Sequence, residues 1–166
     1  LITFALTVFV DLVVAVNIGV ILAMFHFLRR MSDAVEVVRQ DQGTVREELH
    51  EAGLDGLPPG VAVYSIEGPF FFGSVESLER ALSWSREQPT TVVLRLDRVP
   101  FVDATGLKRL ESTLVALDKR GVRVVLSGAN LRVLRKLVRA GIVAREAGDP
   151  SYFSDLSDAL AWLARP

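Results

Sequence analysis

The 166-residue chain contains no cysteine. That excludes disulfides, thiolate nucleophiles and Cys-based zinc sites, and it fits a reducing compartment. Histidine is scarce too: His26 and His50 lie far apart, without metal-ligand spacing, so no metal site is expected. Charge of neither sign dominates, with 19 basic and 20 acidic residues and a net charge of −1. No global electrostatic argument for nucleic acid therefore exists. The glycine patterns of dinucleotide and P-loop sites are missing, as is the serine hydrolase elbow. These gaps leave no cofactor, no metal and no catalytic residue to assign, and they argue against an enzyme.

Charge is scarcest at the start. Residues 1–28 hold Asp11 and His26 but no Lys or Arg. A helix needs roughly 20 apolar residues to cross a hydrocarbon core of about 30 Å. Residues 12–28 are read as most of one spanning helix, with Asp11 near its start and 1–10 as the tail of a preceding membrane element. A signal peptide fits poorly, because the positive pair Arg29-Arg30 follows the apolar run instead of opening it. A buried core helix of a soluble protein is the other reading of the run. By the positive-inside rule, Arg29-Arg30 places the residues after the span on the cytoplasmic side. The chain opens in mid-hydrophobic sequence without an initiator Met, so a piece of a larger membrane protein is expected. Asp11 and Asn17 are the polar residues of the span. An intramembrane carboxylate is a candidate for ion coupling, although near a helix end it more simply caps free N–H groups.

Residues 31–60 are rich in charge and end in Gly53, Gly56 and Pro58-Pro59-Gly60, which predicts a polar linker, with short helical pieces, closed by a breaker. Residues 61–166 then form one small domain. Residues 61–67 and 91–96 read as strands, the second nearly continuous in apolar character, as when both faces are covered. Phe70-Phe71-Phe72 reads as a short strand, followed by a helix capped by Ser74 with Val75, Leu78 and Leu82 on one face. Leu107, Leu110, Leu114 and Leu117 form one helical stripe, ended by Gly121. Residues 122–126 are another buried strand. A helix after Asn130 turns Leu131, Leu134 and Val138 inward and closes at Gly141. Residues 142–143 read as a brief edge strand, and Ser154 starts a last helix with Leu156, Leu160 and Leu163. Strands alternating with helices predict an α/β layer with parallel crossovers.

The segment Val99-Pro100-Phe101-Val102-Asp103-Ala104-Thr105-Gly106-Leu107 carries an apolar strand end into a helix start bearing Asp, Thr and Gly. Free N–H groups at such a start favour an anion or a partner's polar groups. The pattern resembles the phosphorylation loop of STAS domains, shared by anti-sigma-factor antagonists and SulP-type anion transporters. Gly68-Pro69-Phe70-Phe71-Phe72-Gly73 and Val102-Asp103-Ala104-Thr105-Gly106-Leu107, in this order after a membrane stretch, are similar to the SulP arrangement. Residues 11–16 with Gly19 are likewise similar to that family's last transmembrane helix.

The resemblance implies the C-terminal part of a secondary anion transporter, for a sulfate-like anion or a carboxylate or bicarbonate. It implies a spanning helix followed by a STAS-like domain with a mostly parallel mixed sheet, on the cytoplasmic side of a bacterial inner membrane. That domain would serve folding, dimer organisation or regulation, with the remainder of the membrane domain, a second copy and membrane lipid as partners. Nucleic acid is not expected; a nucleotide or a cytosolic protein is a further partner class. In the antagonists a serine directly follows the Asp. Here that position is Ala104, so the phosphoswitch does not carry over, although Thr105 offers a hydroxyl one residue on. The rival function is a membrane-tethered STAS signalling module working by partner switching.

Candidate contact residues are therefore Asp103, Thr105, Gly106 and Asn130, against the simpler reading in which they cap helices and allow close packing. Arg132, Arg135, Lys136 and Arg139 recur at helical spacing and line one face, either solvated or facing anionic lipid headgroups. Phe70, Phe71 and Phe72 cannot all enter one core from an extended strand, so at least one is expected at an interface.

Overall fold

The computed structural model describes residues 1, 4, 12–32, 36–70, 77–78, 80–81, 89–144 and 151–165. It divides into two compact units, residues 1–34 and residues 35–166.

The first unit holds helix α1, Leu12–Ser32, of 21 residues. Its described side chains, those of residues 13–27, are mostly exposed, with Val13, Val16, Met24, Phe25 and Phe27 among them. Asn17 satisfies its own amide by donating to the Val13 carbonyl at 2.8 Å, four residues back. Among the described residues, no helix is long and apolar enough to cross a membrane. Asp11 lies outside the described residues.

The second unit is built on a five-stranded sheet in sequence order. Its strands are β1 Glu36–Gln40, β2 Val61–Glu67, β3 Thr91–Arg95, β4 Arg123–Ser127 and β5 Tyr152–Phe153. β1 runs antiparallel to β2, placing Glu36 opposite Glu67. β2 through β5 are mutually parallel. The middle strands are apolar on both faces because both are covered. Ala62, Tyr64, Ile66, Val92, Leu94 and Leu126 point into one core with Leu110, Val133 and Leu137. Alternate residues Val63, Val93 and Val125 point into the other.

The first core is covered by α3, Ala104–Lys119, and α4, Leu131–Arg139. Sequential parallel strands joined by right-handed crossovers leave their connecting helices on one face, as here. Helical residue Leu78, from the β2–β3 connection, is fully buried in the same core. The second core is covered by α2, Arg46–Glu51, and α5, Leu156–Leu163.

Four expectations are corrected. The segment read as a polar linker holds β1 and α2. Asp41 accepts from the Thr44 N–H at 2.8 Å and from its hydroxyl at 2.7 Å, and this turn delivers Val45 and Leu49, 0% and 4% exposed, into the second core. Those two bonds also hold the Asp41 carboxyl below its ordinary pKa. The brief edge strand expected at 142–143 lies instead at Tyr152–Phe153, which pairs with Leu126 and Ser127. The last helix starts at Leu156 after Asp155, not at Ser154. In α4 the inward stripe is Val133 and Leu137, flanked by half-buried Leu134 and Val138, whereas Leu131 is 71% exposed. Leu131 is the first helical residue, at the tip of the helix. Phe71, Phe72, Ser74, Val75 and Leu82 lie outside the described residues.

A fragment starting at residue 35 should melt in one cooperative transition, and one starting at Gly60 should be less stable. The shorter fragment lacks Val45 and Leu49, and burying each such side chain contributes about 1.5–3 kcal/mol, so the loss should be about 3–6 kcal/mol. Urea denaturation of the two fragments measures it. Equal midpoints would mean that β1 and α2 add nothing to the fold.

Candidate functional site

The two loop motifs singled out in the sequence meet. Phe70 forms an isolated parallel bridge with Val102. Its N–H donates to the Phe101 carbonyl at 3.0 Å, and its carbonyl accepts from the Asp103 N–H at 3.2 Å. Gly68 donates to the Arg98 carbonyl at 3.2 Å, and the Arg98 guanidinium pairs with Glu67. Phe70 itself is 2% exposed and belongs to the core. This corrects its reading as an interface residue: its backbone, not its ring, serves the loop.

Gly106 explains why the approach is possible. A Cβ there would lie 2.8 Å from the Phe70 carbonyl oxygen and 3.0 Å from Asp103 Oδ1. Any side chain would force the two segments apart. Asp103 is the N-cap of α3, and its Oδ1 accepts from the Gly106 N–H at 2.6 Å. Thr105 is exposed on the first turn.

Asn130 closes the arrangement from the next strand. Its Oδ1 accepts from the N–H groups of Arg132 and Val133, both at 3.0 Å, capping α4. Its Nδ2 donates to the Val99 carbonyl at 2.8 Å and reaches that of Pro100 at 3.5 Å. The structure thus brings Asp103 and Asn130 to the same edge, the carboxyl ends of β3 and β4. Such edges are where ligands and partners commonly sit in open α/β sheets. Lys136 departs from the expected basic face. It is half-buried, and its ammonium donates to the Val102 carbonyl. Arg132, Arg135 and Arg139 remain exposed.

Further supports were not legible locally. On β3, Arg95 pairs with Glu48 of α2 at 2.8 Å and with Asp97 at 3.2 Å. The Leu96 N–H donates to the Ser127 carbonyl at 2.8 Å. Tyr152 donates its phenol hydrogen to the Ala129 carbonyl at 3.3 Å, and burial pushes that phenol above its ordinary pKa of 10.0. Apart from the Asp97 pair, these link residues far apart in the chain, invisible to any spacing rule. Among the described residues no cluster of His, Asp or Glu could hold a metal ion. A cleft of about 690 Å³ lies at the other end of the sheet, lined by Arg39, Asp41, Pro58, Pro59 and Pro89 among others. Its carboxylate, Asp41, is already engaged by Thr44.

The STAS domain family model matches residues 56–159. The solved SulP transporter STAS domain of Vibrio cholerae is 41% identical, covering 72% of this chain and 92% of that one, with a TM-score of 0.60. The chain belongs to the STAS domain family, in its SulP-type branch. A sulfate transporter family protein from Wolinella succinogenes is similar in structure at 36% identity, covering 66% of this chain and 89% of that one, TM-score 0.57. YvdB of Bacillus subtilis, named for sulfate transport, is 32% identical over 84% of this chain. This chain spans 25% of YvdB's length. The STAS fold accounts for the mixed sheet and its flanking helices. The relatives just named carry the names of transporters or of transporter parts.

Asn130→Ala should destabilise the STAS domain by about 1–2 kcal/mol, the usual cost of losing an N-cap. Asn130→Asp keeps the cap acceptor but loses the donation to Val99, so it should fall between Ala and the parent. Gly106→Ala should cost about 1–3 kcal/mol through overpacking against the Phe70 carbonyl. Thermal melts of the three variants give the ranking, and a neutral Gly106→Ala would refute the close-approach argument.

Proposed function

We propose that this chain is the C-terminal part of a secondary anion transporter, with its STAS domain regulating or organising the membrane part. The observation that carries the reading is the 41% identity to a SulP transporter STAS domain across nearly all of that domain. The transported anion would be sulfate-like or a carboxylate or bicarbonate; relatives named for sulfate and for bicarbonate both resemble this chain. Substrate would bind mainly in membrane segments outside this chain, and the STAS domain would carry no catalytic step.

Residues 12–28 would form most of a membrane-spanning helix. Support comes from the sequence, since residues 12–28 hold no Asp, Glu, Lys or Arg, and from the described apolar side chains of α1, which are largely exposed. Arg29-Arg30 would place residues 35–166 on the cytoplasmic side of a bacterial inner membrane. A second copy of the chain and the rest of the membrane domain would be its standing partners. Asp103, Thr105 and Asn130 would present the contact edge, with Phe70 accepting from the Asp103 N–H, Gly106 donating to the Asp103 carboxylate and Lys136 to the neighbouring Val102 carbonyl.

Uptake of radiolabelled sulfate or bicarbonate by proteoliposomes holding the full-length parent tests this reading. Uptake of one of these anions is expected. At equal expression it should fall in Thr105→Glu, which brings a second negative charge near Asp103, and in Asp103→Ala. Absence of uptake for both anions would refute transport. Unchanged uptake in both variants would reduce the turn to a helix cap.

A further inference from the structure

The contact edge carries exposed apolar and basic side chains whose roles the capping network leaves unexplained. Phe101 is 38% exposed and Leu131 is 71% exposed. Each adjoins the bonds that tie the β3–α3 loop to the start of α4, since Asn130 reaches the Val99 and Pro100 carbonyls and Lys136 that of Val102. Exposed Arg132 and Arg135 follow Leu131 on the first turn and a half of α4, and exposed Lys108 and Arg109 lie in the second turn of α3. The neighbouring carboxylates are largely committed. Glu67 pairs with Arg98, Asp97 with Arg95, and Asp103 caps Gly106; Glu36 and Asp155 remain exposed. Exposed apolar groups between cations match the boundary between headgroups and acyl chains of an anionic bilayer.

The topology gives a second, independent reason. Because β1 runs antiparallel with Glu36 opposite Glu67, the chain enters the domain at the same end of the sheet. The chain that follows α1 therefore enters this unit at the Glu36 end of β1.

We propose that Phe101, Leu131, Arg132 and Arg135 form a lipid-docking surface that rests on the anionic headgroups of the membrane. The proposal builds on the membrane-spanning reading of α1. Lipid contact would shield the Asp103–Asn130 edge, so docking and exposure of that edge to a cytosolic partner would exclude each other.

The absence of cysteine makes a site-specific test clean. In the full chain, Ala104→Cys on the same edge carries a fluorophore, with Lys119→Cys at the far end of α3 as control. The chain is reconstituted into phosphatidylcholine vesicles with and without phosphatidylglycerol, each containing a headgroup-level nitroxide quencher. The Ala104 label should be quenched in the anionic vesicles and much less in the neutral ones, and high salt should reverse it. The Lys119 label should stay unquenched. Arg132→Gln and Arg135→Gln should each weaken docking about fivefold, the effect of one cation near such a surface. Phe101→Ser with Leu131→Ser should weaken it independently of salt. A label at Val20→Cys with an acyl-chain quencher reads insertion of α1 separately. A quenched Val20 label with an Ala104 label unquenched, or equally quenched in both lipids, overturns the docking surface alone and leaves the edge to a protein partner. An unquenched Val20 label overturns the membrane reading, and the docking proposal with it.

Discussion

The carboxyl edge of this domain depends on one close approach, that of Gly106 to the carbonyl of Phe70. No residue with a Cβ fits there without pushing the two chains apart. The approach lets Phe70 accept from the Asp103 N–H, and Asp103 is thereby set to cap the very turn in which Gly106 sits. Once those segments touch, every residue from Leu96 to Asp103 is engaged in a backbone or side-chain bond with Phe70, Gly68, Glu67, Arg95, Ser127, Asn130 or Lys136, or within the loop itself. A loop so bound presents a preformed surface, and a partner binding it would have little ordering entropy to offset.

The two faces of the sheet are unequal in origin. One is covered by the crossover helices that a parallel sheet requires, and the other by elements from the two ends of the domain, α2 and α5. Arg95 stands where these two systems meet, holding Glu48 of α2 on one side and Asp97 of the loop on the other. The group is partly exposed, so its worth as an ion pair is modest. Its significance is positional, since it joins the segment after α1 to the segment that forms the edge.

Much of this was legible. The apolar runs of β2, β3 and β4 are long enough to need cover on both faces, and Asp103, Asn130, Gly121 and Gly141 punctuate the helices through their own local chemistry. β1 was not legible, because Glu-Val-Val-Arg-Gln is half polar, as an edge strand must be to discourage further pairing. In α4, Leu134 and Val138 pack against the core as read, but Leu131 does not and Val133 and Leu137 were missed, because both sets satisfy helical spacing. What decides is where the helix crosses the sheet, a tertiary fact. The same holds for Lys136. Its spacing put it with the arginines, but the Val102 carbonyl, 34 residues earlier, draws it inward. Phe70 shows the converse: the motif was noticed for its rings, and the part that matters at the edge is its peptide group.

The sheet is laid down in the order in which it is written, β1 to β5. Each strand finds its hydrogen-bonding partner already made by the stretch just before it, so no strand has to be inserted between two others. Closing each crossover costs entropy that grows only slowly with its length. For a polypeptide leaving the ribosome, this means the sheet can grow at one side as each strand emerges. The unpaired edge moves along with synthesis until Tyr152 and Phe153 finish it with two residues. That last strand is too short to offer much of a template, so the growing edge ends in one that invites little further addition.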